Sequence, residues 1–336
     1  MHYNDSVIKQ LCFDHYSVGY DFWQVHNVFP AASVAVYELA YDLGVPVVQF
    51  LHNYRFGCAS AGLYRDGSIC RDCSPDGMLS AIRYACWRSS RLATLTMVTA
   101  LKRFWQNGGY ASVAGYIAIS QAQKREYVRY GIPESRIQVV PHFLEVDRYG
   151  AKPSFLPPKG DVLFLGRITE EKGVGMLLKA WSQVDAGCRK LRIAGDGPKL
   201  QAMRVLAQQL HLKYVIFEGF VEKSQHAALW QSCSLFAAPS TWLEPFGMVV
   251  LEAWRQGRPV IATNIGSFSE LIEDRVDGFL ADPNPDDFAE VLQNALDADD
   301  EWATMGASGW GKLVNFYDKS TWINNMRRCY EDFNLA

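Results

Sequence analysis

The segment Gly166-Arg167-Ile168-Thr169-Glu170-Glu171-Lys172-Gly173 sets an Arg and a Lys between two glycines, directly after the apolar run Asp161–Leu165. An Arg fork and a Lys point charge beside a helix N-terminus, whose unpaired N–H groups favour anions, make a cradle for a diphosphate. The same residues also allow a plainer reading, a solvated loop in which Arg167 pairs with Glu170 or Glu171. A second segment, Ala238-Pro239-Ser240-Thr241-Trp242-Leu243-Glu244-Pro245-Phe246-Gly247, follows another apolar run and leads into a helical stretch, 248–256, that contains Glu252. Glu244 in the loop and Glu252 about one turn into the helix are placed to border one pocket, Glu244 towards a sugar's hydroxyls and Glu252 towards a ribose. Gly247 lets backbone come close to a ligand, and the N–H groups of Phe246, Gly247, Met248 and Val249 supply donors. Otherwise Glu252 is an exposed helix carboxylate and Glu244 an ordinary acidic residue at a helix start.

Both segments need strands behind them and helices after them. In the second half, short apolar runs alternate with amphipathic stretches, the pattern of repeated βα units around a parallel sheet. The spacing predicts strands at Asp161–Leu165, Leu191–Ala194, Tyr214–Phe217, Leu235–Ala238, Pro259–Ala262 and Gly278–Ala281. Helices are predicted near 173–185, 198–211, 223–232, 248–256, 267–273 and 284–297, which together make a doubly wound domain. The first half yields strands at Phe22–Val28, Pro46–Leu51, Tyr116–Ile119 and Ile137–Val140, with helices at about 31–43, 79–104 and 121–130. The proline-rich stretch 152–160 cannot continue a helix or a central strand and reads as a linker, dividing the chain into domains 1–155 and 156–336.

Composition agrees with two such domains. The chain has 336 residues, of which 49% are hydrophobic and 13% aromatic, enough to bury a core in each domain. Lys and Arg number 33 against 36 Asp and Glu, a net charge of −3 that supplies no long-range field for nucleic acid, so a general DNA or RNA binder is disfavoured. The longest low-charge stretch, Leu92–Leu101, contains three threonines and is far below the roughly 18 apolar residues that span a bilayer. Met1-His2-Tyr3-Asn4-Asp5 shows no basic cluster leading into an apolar run, so a reducing cytoplasm is the expectation and the eight cysteines are expected to be thiols.

Gly166-Arg167 with Lys172, then Ala194-Gly195-Asp196-Gly197-Pro198, then Glu244-Pro245-Phe246-Gly247 ending at Glu252, together resemble the motifs of glycosyltransferase family 4. The resemblance covers about 155–335 closely, including Pro259-Val260-Ile261-Ala262-Thr263 and Gly266, and extends more loosely over 22–150. It implies the α/β GT-B architecture of two facing Rossmann-like domains, with the last helix packing back on the first. By the same resemblance Gly166, Arg167 and Lys172 hold the pyrophosphate, Glu244 the donor sugar, Glu252 the ribose, and the neighbourhood of Val221 the base. The implied reaction moves a hexose from a UDP or GDP sugar to a hydroxyl of a glycan or lipid-linked acceptor, with retention, in surface polysaccharide or glycolipid synthesis. A preorganised cluster of Arg, Lys and N–H donors stabilises the charge that grows on the departing diphosphate, so no metal cofactor is expected. No Asp-x-Asp sequence of the metal-binding sort occurs; the nearest double acids, Asp286-Asp287 and Asp299-Asp300, are expected in helical or helix-linking surface contexts.

In the first half, His52 at the end of strand 46–51 matches a histidine of the family and is the expected catalytic partner of Glu244, hydrogen-bonding the sugar and helping the acceptor's proton leave. His26 ends the preceding strand and reads either as a second family position or as a satisfied structural histidine, and His142 stands where many relatives have Asn-Gly. Relatives carry a strand, a glycine-rich loop and further βα units ahead of the equivalent of Asp21–Val28, so the N-terminal domain is expected to be incomplete, with strand 22–28 an open edge. Cys58, Cys70, Cys73 and Cys86 read either as a four-thiolate zinc site of irregular spacing or as buried and loop thiols. From Gly77 to Arg125 there is no acidic residue and seven are Lys or Arg. That stretch is either a peripheral docking face for anionic lipid at the inner membrane surface or a core helix with one solvated basic face. Two rival functions stay open: a nucleotide-sugar-binding module without transfer activity, and a GT-B epimerase.

Overall fold

The computed structural model describes residues 4–29, 32–74, 77–106, 109–146, 153 and 160–335. The chain forms two compact units: Met1–Arg65, Ile69–Pro141 and Ile323–Ala336 make up the first, and Asp66–Ser68 with His142–Trp322 the second. The boundary expected near 155 is thus replaced by one between Pro141 and His142. Most of the proline-rich stretch lies outside the described residues.

In the first unit, helix α1 (Asp5–Val18) precedes strand β1 (Trp23–Val25), helix α2 (Ala35–Asp42) and strand β2 (Val47–Leu51). A small hairpin, β3 (Tyr64–Arg65) and β4 (Ser68–Ile69), leads to helices α3 (Leu79–Arg83), α4 (Arg91–Gln106) and α5 (Gly109–Ser112). Strand β5 (Val113–Ala118), helix α6 (Gln121–Arg129) and strand β6 (Ile137–Val139) follow. Among the described residues the sheet runs β1-β2-β5-β6, all parallel, with β1 bonded on one side only. Every residue of β2 is buried, as expected where helices cover a parallel sheet. Asn4 caps α1 by accepting from the Val7 N–H, and Ser120 caps α6 by accepting from Gln123. The single helix expected over 79–104 is broken in two. Ala85, Arg88 and Ser89 take left-handed backbone between its pieces, a turn that no glycine or proline announces.

The second unit contains strands β7 (Asp161–Leu165), β8 (Leu191–Ala194), β9 (Val215–Gly219), β10 (Cys233–Ala238), β11 (Val260–Thr263) and β12 (Gly278–Ala281). Between them run helices α7 (Val174–Trp181), α8 (Leu200–Gln209), α9 (His226–Gln231), α10 (Met248–Arg255) and α11 (Phe268–Leu271). Helices α12 (Pro285–Asp297), α13 (Trp302–Phe316) and α14 (Lys319–Asp332) close the chain. The parallel sheet is ordered β9-β8-β7-β10-β11-β12, the doubly wound arrangement whose order reverses between β7 and β10. Its core packs Leu177, Leu235, Ile261, Phe279, Phe288 and Leu292, all fully buried. Helix α12 is specified locally: Asn284 accepts from the Asp287 N–H, Pro285 opens the first turn, and Asp286 and Asp287 meet the positive end of the helix. Asp299 lies in a short 3-10 turn between α12 and α13, so both double acids fall in the expected contexts.

Phe288 joins α12 to the sheet with none of its surface exposed. Phe288→Ala is expected to lower the unfolding free energy of the second unit by about 3–5 kcal/mol, read from urea denaturation. A loss below about 1 kcal/mol would show that α12 is not part of the cooperative core.

Candidate functional site

The reversal of strand order between β7 and β10 opens a crevice at the carboxyl ends of these strands, where open α/β sheets bind ligands. The loop after β7 carries Gly166, Arg167 and Lys172; the loop after β10 carries Ser240, Trp242 and Glu244. Backbone contacts stitch the two loops together. Thr241 donates its N–H to the Glu171 carbonyl at 2.9 Å. At Gly173, φ is +72° and a Cβ would stand 1.7 Å from the Pro239 carbonyl oxygen, so only glycine allows the loops to approach this closely. Gly266 serves the other side in the same way, since a Cβ there would lie 2.6 Å from the Glu244 nitrogen. Ser267 also donates its N–H to the Glu244 carbonyl at 3.0 Å.

This backbone seats a buried carboxylate. Glu244 is 9% exposed, and its Oε2 accepts from Lys172 Nζ at 2.7 Å, from Trp242 Nε1 at 3.0 Å and from Ser240 Oγ at 3.2 Å. Lys172 also lies over the Trp242 ring, 5.2 Å from its centroid. The ammonium expected to address a pyrophosphate is therefore engaged with Glu244. It compensates a buried negative charge and keeps N–H donors in reserve. The alternative pairing of Arg167 does not occur: Glu170 pairs with Lys199 at 3.3 Å, and the exposed Arg167 side chain forms no ion pair among the described residues.

Two helices begin at this crevice without a side-chain cap, α7 after Gly173 and α10 after Gly247. Their first-turn N–H groups are the natural partners of an anion. Gly247, at φ +91°, starts α10, while Met248 and Val249 are half-buried in its first turn. The Phe246 ring is buried against His142 and Tyr317, with centroids 5.5 and 6.0 Å away, so Phe246 contributes backbone at most. Glu252 lies half-buried one turn into α10, on a helix that buries Val250, Leu251, Ala253 and Trp254. Gly166 closes β7 by donating its N–H to the Ala194 carbonyl, which joins the loop after β7 to the 194–197 turn. Val221 follows the edge strand β9, and its carbonyl lies 3.3 Å from His226 Nε2.

In the first unit a cavity of about 210 Å³ opens at the ends of β1 and β2, lined by His26, Asn27, His52, Asn53 and Arg55 among others. Parallel pairing of Val25 with Gln49 brings His26 beside Phe50, and His52 lies two residues further on the same face. The His26 ring stacks on Phe50 at 4.8 Å and on His52 at 5.0 Å, and its Nδ1 lies 2.7 Å from His52 Nε2. His26 Nε2 stands 2.8 Å from Gln24 Nε2, while the Tyr330 hydroxyl donates to Gln24 Oε1. The Gln24 amide therefore donates to His26, which carries its proton on Nδ1 and donates it to His52. Burial lowers the His26 pKa below the ordinary 6.5, which keeps this ring neutral at pH 7. Sequence reasoning offered His26 a satisfied structural role; the structure satisfies it and joins it to His52. The signal was present in two histidines ending adjacent strands, but their pairing depends on register.

Two family models match the chain in succession, "Glycosyltransferase Family 4" over residues 4–148 and "Glycosyl transferases group 1" over residues 149–309. The chain belongs to the GT-B glycosyltransferases of family 4. It is 31% identical over 178 residues to an uncharacterized glycosyltransferase, MJ1607, of Methanocaldococcus jannaschii, covering 52% of this chain and 45% of that one. It is 28% identical over 236 residues to phosphatidyl-myo-inositol mannosyltransferase of Mycobacterium tuberculosis, covering 66% of this chain and 60% of that one. The chain thus spans about half the length of the curated relatives it matches. Among solved structures, Anabaena Alr3699/HepE in complex with UDP-glucose superposes with a TM-score of 0.70 at 20% identity, over 98% of this chain and 82% of that one. That likeness establishes the GT-B fold.

If the Lys172–Glu244 pair organises the crevice, Lys172→Met and Glu244→Gln should not act independently. A double-mutant cycle read by urea unfolding is expected to give a coupling of about 0.5–3 kcal/mol. Additivity within about 0.3 kcal/mol would show the pair to be idle.

Proposed function

We propose that this chain is a retaining hexosyltransferase that uses a nucleotide-diphosphate sugar of the UDP or GDP type and passes the sugar to a hydroxyl of a glycan or lipid-linked acceptor. The observation that carries the proposal is Glu244. Three donors converge on its Oε2, while its Oε1 has no hydrogen-bond partner among the described residues and is left for a sugar hydroxyl. Arg167, the remaining N–H groups of Lys172 and the first turns of α7 and α10 then meet the diphosphate, and their attraction grows as charge develops on it. Glu252 takes the ribose, and backbone around Val221 takes the base. In this reading the charge on the leaving group is met by protein donors, and no metal cofactor enters the step. In the first unit, His52, whose Nε2 accepts from His26, is proposed to hydrogen-bond the sugar. Accepting a proton from the acceptor hydroxyl would require the His26–His52 hydrogen bond to reverse.

A lipid-linked acceptor suits the outer face of α3 and α4. Met97, Leu101 and Phe104 of α4 are buried, whereas Leu79, Leu92 and Leu95 are exposed at 80%, 76% and 47%. Arg83, Arg88, Arg91 and Lys102 are exposed in the same region. The inner side of α4 is a core helix as one reading expected, and the basic, apolar outer side is proposed to lie against anionic lipid as a peripheral contact at the inner membrane face.

With purified protein and a panel of UDP and GDP sugars, Glu244→Ala is expected to abolish donor turnover while the circular dichroism spectrum is retained. Undiminished turnover would refute the site. Arg167→Ala is expected to weaken donor binding by about 1.5–3 kcal/mol, measured by calorimetry. The protein should co-sediment with vesicles containing phosphatidylglycerol, and Leu92→Glu with Leu95→Glu should release it. Equal sedimentation with neutral vesicles would remove the electrostatic part of the proposal.

A further inference from the structure

The cavity of about 210 Å³ at the ends of β1 and β2 has a charge that its histidine pair does not explain: Arg55 lines it, and no Asp or Glu does. The Arg55 guanidinium is half-buried and lies over the Trp87 ring, 4.4 Å from its centroid. Its Nη1 donates to the Ala59 carbonyl; the other N–H groups of the five-donor fork have no acceptor among the described residues, and no carboxylate pairs with it there. Burial lowers the Arg55 pKa, and the groups that act against this are Cys58 and Tyr127 rather than an acid. Arg88 adds a second positive charge nearby, 5.5 Å from the centroid of the same Trp87 ring. The amides of the lining are oriented in the same sense. Asn53 Oδ1 accepts the Arg55 backbone N–H at 2.9 Å, so Asn53 Nδ2 donates to Asn27 Oδ1 at 3.2 Å, and Asn27 Nδ2 is left as a donor. Among the described residues no three of His, Cys, Asp and Glu are placed to hold a metal ion, neither the two histidines with a third group nor Cys58, Cys70, Cys73 and Cys86.

We propose that this cavity receives an oxyanion carried by the acceptor, a phosphate ester or a carboxylate, with Arg55 as its main ligand and Asn27 as a second donor. A planar guanidinium held against an indole is preorganised to meet two oxygens of such a group. The bound anion supplies the counter-charge that the lining lacks, which is why a cation can stand here half-buried without an acid beside it. Because His52 lines the same cavity, an anion on Arg55 ties the acceptor to the histidine proposed to face the sugar. That the anion belongs to the acceptor rests on the transferase reading; the anion site itself does not.

The test is a titration of the full, isotope-labelled chain with methyl phosphate and, separately, with acetate, read on the ring nitrogens of His26 and His52 by NMR. At least one probe should shift these signals saturably, whereas sodium chloride at equal ionic strength should not. The tighter of the two probes tells a phosphate ester from a carboxylate. Arg55→Gln is expected to weaken binding about tenfold or more, and Arg55→Lys, which keeps the charge and loses the fork, should retain part of it. Arg167→Ala should leave the shifts unchanged, since a phosphate held in the donor crevice is not their source. Arg55 also anchors its own loop through Ala59, so the unmodified chain carries the decision if Arg55→Gln fails to fold. No saturable shift with either probe, equal affinity in a folded Arg55→Gln chain, or loss of the shifts in Arg167→Ala would each overturn the proposal. If donor turnover survives Glu244→Ala while the anion still binds, the transferase site falls and the anion site stands; turnover without anion binding is the converse.

Discussion

The candidate donor site depends on a buried carboxylate held by three converging donors. Glu244 is almost fully buried, and an ionised acid so placed requires a compensating cation and hydrogen-bond donors. Lys172 supplies the charge, while Ser240 and Trp242 supply neutral donors. The loops that bring them together meet where a glycine lies against the Pro239 carbonyl, a spacing that any side chain would prevent. Lys172 comes from the loop after β7 and the other three residues from the loop after β10, the two strands at which the sheet reverses direction. The chemistry and the topology therefore meet at one point.

The same constraint bears on the two helices that open at this crevice. Neither α7 nor α10 begins with a side-chain cap, although α12 in the same unit has a complete one. Leaving first-turn N–H groups uncapped is unfavourable for an isolated helix and useful beside an anionic ligand. Arg167 fits this pattern, an exposed guanidinium with no carboxylate partner among the described residues, beside a loop whose other cation is already engaged.

In the first unit, the candidate site residues stand at strand ends. His26 and His52 are stacked and hydrogen-bonded because β1 and β2 run parallel in a register that places them on one face. Gln24 and Tyr330 extend the contact, so the direction of the hydrogen bonds is set by an amide held in place from the C-terminal helix. Beyond His52 the chain leaves regular structure apart from the β3–β4 hairpin until α3.

Much of this was legible in residue order alone. Strands β7, β8 and β12 fall at the expected residues because each is a short, mainly apolar run bounded by turn residues. The loop motifs around Arg167 and Glu244 were equally visible, since each follows such a run and opens a helix. What residue order did not reveal was pairing over distance. Lys172 and Glu244, or His26 and His52, become partners only through sheet order and strand register, which no local window contains. The break between α3 and α4 was hidden for a related reason: Ala85, Arg88 and Ser89 adopt left-handed backbone that their side chains disfavour, a conformation imposed by packing around them. Local preference settled which elements form and which residue types stand at their ends; tertiary structure decided which of those ends meet, because burial and hydrogen bonding act between segments far apart in the chain.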